Sequence, residues 1–156
     1  MEGARDISHR IPSGCDLALR TTLRRPHVLA ALIYLDLSVC LFGIRVLAHP
    51  STSYLGYPRD PGFFIWCLEW WPWAILHGYN PFYSHLVWAP AGFDLTWTTS
   101  VPGLSLLAAP ITLIFGPVVS YNILAIAGPA LSAWTAYILC DCLVERFWPA
   151  LFGGWV

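Results

Sequence analysis

Apolar residues in this chain gather into long runs, separated by short clusters of proline, glycine and polar side chains. The first run, residues 28–48 (VLAALIYLDLSVCLFGIRVLA), is long enough to cross a bilayer. A helix of about 21 residues rises about 31 Å, against a hydrocarbon core of roughly 30 Å. With its flank, the predicted first transmembrane helix covers 27–48. A shorter run over 103–116 predicts a second span, turned by Gly116-Pro117. A third is expected over 118–140, with a Gly128-Pro129 break of the kind that transmembrane helices tolerate. Phe147 opens a further run over 147–156, expected as the start of a truncated fourth transmembrane helix.

Between the first two spans lies a long connection, 49–102. It begins with the turn-rich HPSTSYLGYPR and then changes character. Asp60-Pro61 reads as a helix start, with aspartate as N-cap and proline in the first turn. The helix predicted over 61–77 is apolar on nearly every face, is interrupted by Pro72, and carries Trp66, Trp70, Trp71 and Trp73. Tryptophan prefers the headgroup level, so this helix is expected to lie in the membrane interface. Gly78-Tyr79-Asn80-Pro81 ends it in a turn. A structured loop with breaks at Ala89-Pro90 and Val101-Pro102 follows. The expected fold is an all-α integral membrane protein of three transmembrane helices plus a truncated fourth, with a Trp-rich interfacial helix in the first extracytoplasmic loop.

Composition supports a bilayer as solvent. Of the 156 residues 57% are hydrophobic and only 11% charged, with a mean hydropathy of +0.60. A soluble domain carries about a quarter charged residues. A net charge of -1 gives no reason to expect nucleic acid. The five cysteines are scattered and form no metal-ligand spacing. No phosphate-binding glycine loop, nucleophile elbow or zinc-protease motif occurs. All eight basic residues are arginine, and five lie in the tail 1–26. That bias places the N-terminus in the cytoplasm. A cleaved signal peptide ending near Val46-Leu47-Ala48 is the rival reading, but the run is long and contains Asp36. Counting three spans from a cytoplasmic tail leaves Arg146 outside. Asp36 sits near the middle of the first span, where a charged carboxylate costs about 2.5–3.5 kcal/mol. Arg45 is nine residues on, about 900° around the helix and on the opposite side, so Asp36 needs either a partner from another helix or a proton.

Six of the nine tryptophans and three of the nine carboxylates fall between Asp60 and Trp97, which makes this the candidate site. Asp60 is either a helix cap or a free carboxylate beyond the first span. Arg59 beside it can meet a lipid phosphate or simply face headgroups. Glu69 stands among Trp66, Trp70 and Trp73 at helical spacing. His77, eight residues on, falls near the same face, so the two form a candidate acid–base pair or else one polar edge of an interfacial helix. Asp94 is placed to face Asp60 across a cleft. With His77 or His85, two carboxylates can hold a divalent ion, although the spacing demands no metal. Trp88 and Trp97 are candidates to stack on a sugar ring or to anchor in headgroups.

These features resemble the start of the polytopic bacterial membrane glycosyltransferases of the GT-C class, related to the glycosyltransferase 39 and mannosyltransferase-like families. The likeness is carried by one span and then an outer loop with Asp60-Pro61 and Trp66-x-x-x-Trp70. His77-Gly-x-Asn80-Pro81-Phe82, Trp88-Ala-Pro90-x-Gly92 and the run from Gly116 to Asn122 add to it. It covers residues 27–150. The resemblance implies a protein of the bacterial cytoplasmic membrane that moves a sugar from a polyprenyl-phosphate carrier to a cell-envelope acceptor. It implies Asp60 as general base; Arg59, Glu69, His77, Asn80, Trp88, Asp94 and Trp97 are the expected substrate contacts around it. Family members often carry an acidic pair where this chain has Asp60-Pro61. Membrane lipid and other membrane proteins are the remaining expected partners. The alternative is a non-catalytic subunit or lipid-handling partner of a cell-envelope system, or an inactive fragment.

Overall fold

A computed structural model describes residues 25–57 and 60–155 and is mostly helical. Six helices are named here: α1 Arg25–Leu47, α2 Asp60–Leu76, α3 Pro102–Leu107, α4 Ala109–Phe115, α5 Pro117–Val144 and α6 Phe147–Trp155. Two short strands, β1 Tyr83–Ser84 and β2 Phe93–Asp94, pair antiparallel between α2 and α3, with Tyr83 opposite Asp94. A 3₁₀ turn, Leu95–Trp97, follows β2. Of the described helices, α1 and α5 are long and apolar enough to cross a membrane, at 23 and 28 residues. α1 contains a π-helical turn at Val39–Gly43, and α5 continues through Pro129. The expected helix 61–77 is α2, shifted by one residue, and it continues through Pro72. Lacking an N–H, Pro72 leaves the Leu68 carbonyl without its helical donor.

The expected span over 103–116 takes a different form. It is two helices of six and seven residues, each about 10 Å long. The break at Ala108 precedes Pro110, whose ring and missing N–H disfavour a continuous first turn there.

The described residues divide into two compact units, one of 25–38 with 127–155 and one of 39–57 with 60–126. In the first, α1 runs antiparallel to α5. His27 meets Tyr137 and Asp141, while Ala31 and Leu35 border Ala127, Ala130 and Leu131. α6 folds back onto the pair, with the Tyr34 hydroxyl donating to Leu151 O at 2.7 Å. Small residues allow this approach. Ala30, Ala130 and Ala150 are buried, and a Cβ on Gly153 would stand 2.6 Å from Cys140 Sγ.

In the second unit the antiparallel order is the same. Gly43 packs against Ile126, and the connection after α1 is fastened to the start of α5 by Asn122. Asn122 is 3% exposed. Its amide nitrogen donates to Pro50 O at 3.0 Å and Ser53 O at 2.7 Å, and its oxygen accepts from Leu55 N at 3.3 Å. Tyr121 adds a bond to Leu55 O at 3.1 Å. α5 therefore returns along α1, the reverse of the direction expected after three spans. A core of Cys67, Trp70, Trp71, Ala74 and Leu95 joins α2 to the loop that follows it.

Candidate functional site

Helix α2 presents two different faces, both within the second unit. Phe63, Trp66, Trp70, Trp73 and His77 follow one another at steps of three and four residues, which puts them on one stripe of a helix. Their rings form a ladder. Trp66 lies 6.1 Å from Phe63, Trp70 is 5.5 Å from both Trp66 and Trp73, and His77 is 4.5 Å from Trp73. Tyr79 continues it beside Trp73 at 5.3 Å. The indole N–H of Trp70 donates to Pro81 O at 2.9 Å, tying the ladder to the turn after α2. Beside it is a cavity of about 250 Å³ lined by Trp66, Glu69, Trp70, Trp73 and Leu86. Its one ionisable group is Glu69.

The other face carries Asp60. Asp60, Phe64 and Leu68 stand at i, i+4 and i+8, whereas Glu69 is nine residues from Asp60 and so opposite to it. Phe64 and Leu68 form one wall of a second cavity, about 320 Å³, closed by Val101, Leu104, Tyr121, Leu124 and Ala125. This groove is lined by apolar side chains, with the Tyr121 phenol its exception. Asp60 lies close enough to that phenol to act on it electrostatically. The Asp60 side chain is exposed and makes no hydrogen bond or ion pair among the described residues, so its carboxylate is not engaged as a helix cap. Val101 holds φ 43° and ψ 49°, a left-handed conformation that strains a β-branched residue, and from there its side chain completes the groove.

The remaining expected site residues are dispersed. Arg59 lies outside the described residues. His77 bonds through Nδ1 to Trp73 O at 2.8 Å and stacks on Trp73, so it forms no pair with Glu69. Asn80 closes its own turn, accepting from Phe82 N at 3.0 Å. Trp88, 73% exposed, sets its edge against Phe93 at 4.9 Å, and Trp97 is 87% exposed in the 3₁₀ turn. Neither lines a cavity described here. Asp94 caps that turn, accepting from Thr96 Oγ1 at 2.6 Å and Thr96 N at 2.9 Å. These two bonds hold its carboxyl below the usual aspartate range. Burial in the core beneath the ladder pushes the Cys67 thiol up to about 11, leaving it protonated and unreactive. Among the described residues no three His, Cys, Asp or Glu side chains come together as a metal cage. Two carboxylates with His77 or His85 therefore have no shared site there.

The groove residues were not among the expected contacts. Two of the seven were within reach of the sequence, because Phe64 and Leu68 follow Asp60 at helical spacing. Val101, Tyr121 and Leu124 arrive only through tertiary packing. No protein-family profile, curated protein or solved structure matches the chain.

Proposed function

We propose that this chain belongs to a membrane-embedded glycosyltransferase that takes a sugar from a polyprenyl-phosphate carrier and uses Asp60 as general base. The observation that carries the reading is the position of Asp60. It is an exposed carboxylate, without a hydrogen-bond or ion-pair partner among the described residues, on the same face of α2 as an apolar groove of about 320 Å³. A groove of this lining suits an isoprenoid chain, whose phosphate and sugar then lie toward the polar end of α2. There Asp60 accepts the proton of an acceptor hydroxyl as its oxygen attacks the anomeric carbon. The bond from that carbon to the phosphate oxygen breaks, and polyprenyl phosphate leaves with the electron pair. The resemblance of the motifs around Asp60 supports the same assignment.

In this reading α1 and α5 cross the bilayer, α2 lies in the interface with α3 and α4 beside it, and the tail is cytoplasmic. Arg25 and Arg146 then flank the same ends of α1 and α5, in keeping with the positive-inside bias. Membrane insertion is tested through Cys40, which is exposed on α1. A membrane-impermeant maleimide should fail to label it in vesicles and succeed in denaturant. Labelling in both would remove the membrane from the reading.

The second reading is a lipid-handling subunit without chemistry of its own. It is favoured by the lining of the groove, which is apolar except for the Tyr121 phenol. Transfer of radiolabelled sugar from a pool of polyprenyl-phosphate sugars separates the two, with wild type and Asp60→Asn inserted equally. Transfer that falls at least a hundredfold in Asp60→Asn supports the general base, an acid–base contribution being about 10²–10⁴-fold. Carrier binding without transfer in either chain supports the lipid-handling subunit.

A further inference from the structure

A carboxylate stands at the midpoint of α1. Asp36 has eleven residues of the helix on either side, which places it about 16 Å from each end. If α1 crosses the bilayer, as proposed above, that is the centre of a hydrocarbon core about 30 Å thick. Charged groups at this depth face a protein interior or a partner. Asp36 does neither: its side chain is exposed and has no hydrogen-bond or ion-pair partner among the described residues.

The surrounding surface is equally uncovered. Leu29 and Leu32, at i-7 and i-4 from Asp36, are 50% and 53% exposed, and Leu35 is exposed beside them. The opposite side of the same segment is occupied, with Ala30 and Tyr34 buried against α5 and α6. Leu29, Leu32 and Asp36 thus form one outward stripe with a single carboxyl group at mid-depth. Arg45 lies nine residues on, about 13 Å along α1, and makes no ion pair with Asp36 among the described residues. A second copy does not meet the need either. Inserted in the same direction it sets Asp36 against Asp36, which supplies no basic group for the carboxyl. Only a copy inserted upside down would bring Asp36 toward Arg45.

We infer that the Leu29–Leu32–Asp36 stripe of α1 binds a transmembrane helix carrying an arginine or lysine at mid-bilayer depth. The basic side chain supplies the ion pair, and the leucines supply the packing on either side of it. The inference rests on the membrane reading of α1 and is independent of sugar transfer.

The test uses the full chain, donor-labelled, in phosphatidylcholine vesicles. The probe is an acceptor-labelled 23-residue Leu/Ala helix with one central arginine, matching α1 in length. Energy transfer should report association at least tenfold tighter than with the same helix lacking arginine. Asp36→Leu should erase that preference, and Asp36→Arg should transfer it to a helix with a central aspartate. Equal association of both probe helices with the wild type, or a preference that survives Asp36→Leu, overturns the inference. So does energy transfer between two copies of the chain that Asp36→Leu abolishes, because the stripe is then a self-contact. Alkaline extraction of the same vesicles keeps the two readings apart. A chain that is washed off defeats the membrane reading and this inference with it, whereas a retained chain without preference defeats the inference alone.

Discussion

On one side of α2 the indoles of Trp66, Trp70 and Trp73 stack on one another, and on the other Phe64 and Leu68 border a groove. Both sides are apolar and each has one carboxylate, yet the aromatic surface is used differently. In the ladder the ring faces are turned toward neighbouring rings, so little aromatic face is left for a ligand. Trp70 is nearly buried, and its N–H is committed to Pro81 O. The groove has room because its walls come from three separate elements, α2, α5 and the Val101–Leu104 corner, which do not fill the space between them. A high density of tryptophan therefore marks the stacked side of this helix, beside the smaller of the two cavities, and the more ordinary Phe64 and Leu68 line the larger one.

The largest test of this contrast is Trp70→Ala. Removing the middle ring deprives Trp66 and Trp73 of their common partner and opens the core around Cys67 and Leu95. The expected loss is about 3–5 kcal/mol of stability, as for other buried aromatic truncations. Trp70→Phe, which keeps a ring and drops the bond to Pro81 O, should cost about 1 kcal/mol. Unfolding followed by circular dichroism in detergent measures both. A Trp70→Ala chain as stable as the wild type would mean that the stacked side does not stabilise the fold.

Asn122 comes next, at the end of α5 that carries the groove. Asn122→Leu leaves Pro50 O, Ser53 O and Leu55 N without their partner, and also unsettles Leu55, to which Tyr121 is bonded. A cost of about 2–3 kcal/mol is expected from unsatisfied buried groups. The ladder should keep its near-ultraviolet circular dichroism signal at temperatures where the variant is folded. Loss of that signal would show that the two faces depend on one another.

Ala125→Phe tests the groove directly by filling it from α5. Photocrosslinking to a polyprenyl-phosphate probe should fall at least tenfold, about 1.4 kcal/mol. Leu86→Trp, which fills the ladder cavity instead, should leave the crosslink unchanged. Equal effects from both would erase the division between the faces.

How much of this was legible in advance follows from the range of each interaction. The shared stripe of Trp66, Trp70 and Trp73 was readable because its spacing is local, residues three and four apart on a helix being neighbours, but the stacking of their rings on one another was not. α1, α2 and α5 were readable for the same reason, through run length and apolarity. The π-turn at Val39–Gly43 was not, since VCLFG carries no residue that demands it. Nor was the break at Ala108, where a run apolar enough for a span gives way to two short helices before Pro110. Asn122 was noticed only as part of a motif. Its work, holding three backbone groups from residues 50–55, depends on a partner some seventy positions away. Asp60 and Glu69 looked like members of one aromatic site in the sequence, and nine residues of helix place them on opposite sides of it.

The smallest expected effect belongs to Asp94, on the ladder side. Its carboxylate accepts from the side chain and the backbone of Thr96, which holds its folded pKa below the usual aspartate value of about 3.9. As pH falls, the unfolded chain takes up the proton first. The stabilisation is therefore present above about pH 4 and is lost as pH drops through the folded pKa. Being exposed, the pair contributes little, so the difference lies in shape more than in size. Asp94→Asn should melt slightly below the wild type at pH 6, and the gap should close toward pH 3. Phe93, next to Asp94, packs edge-on against Phe63 at the end of the ladder. Acid should therefore alter tryptophan emission in the wild type and not in Asp94→Asn, while carrier crosslinking in the groove stays level across the same range. A groove response that tracked the Asp94 titration would mean that the two faces of α2 communicate through its first turn, where Phe63 and Phe64 are neighbours in both sequence and ring contact.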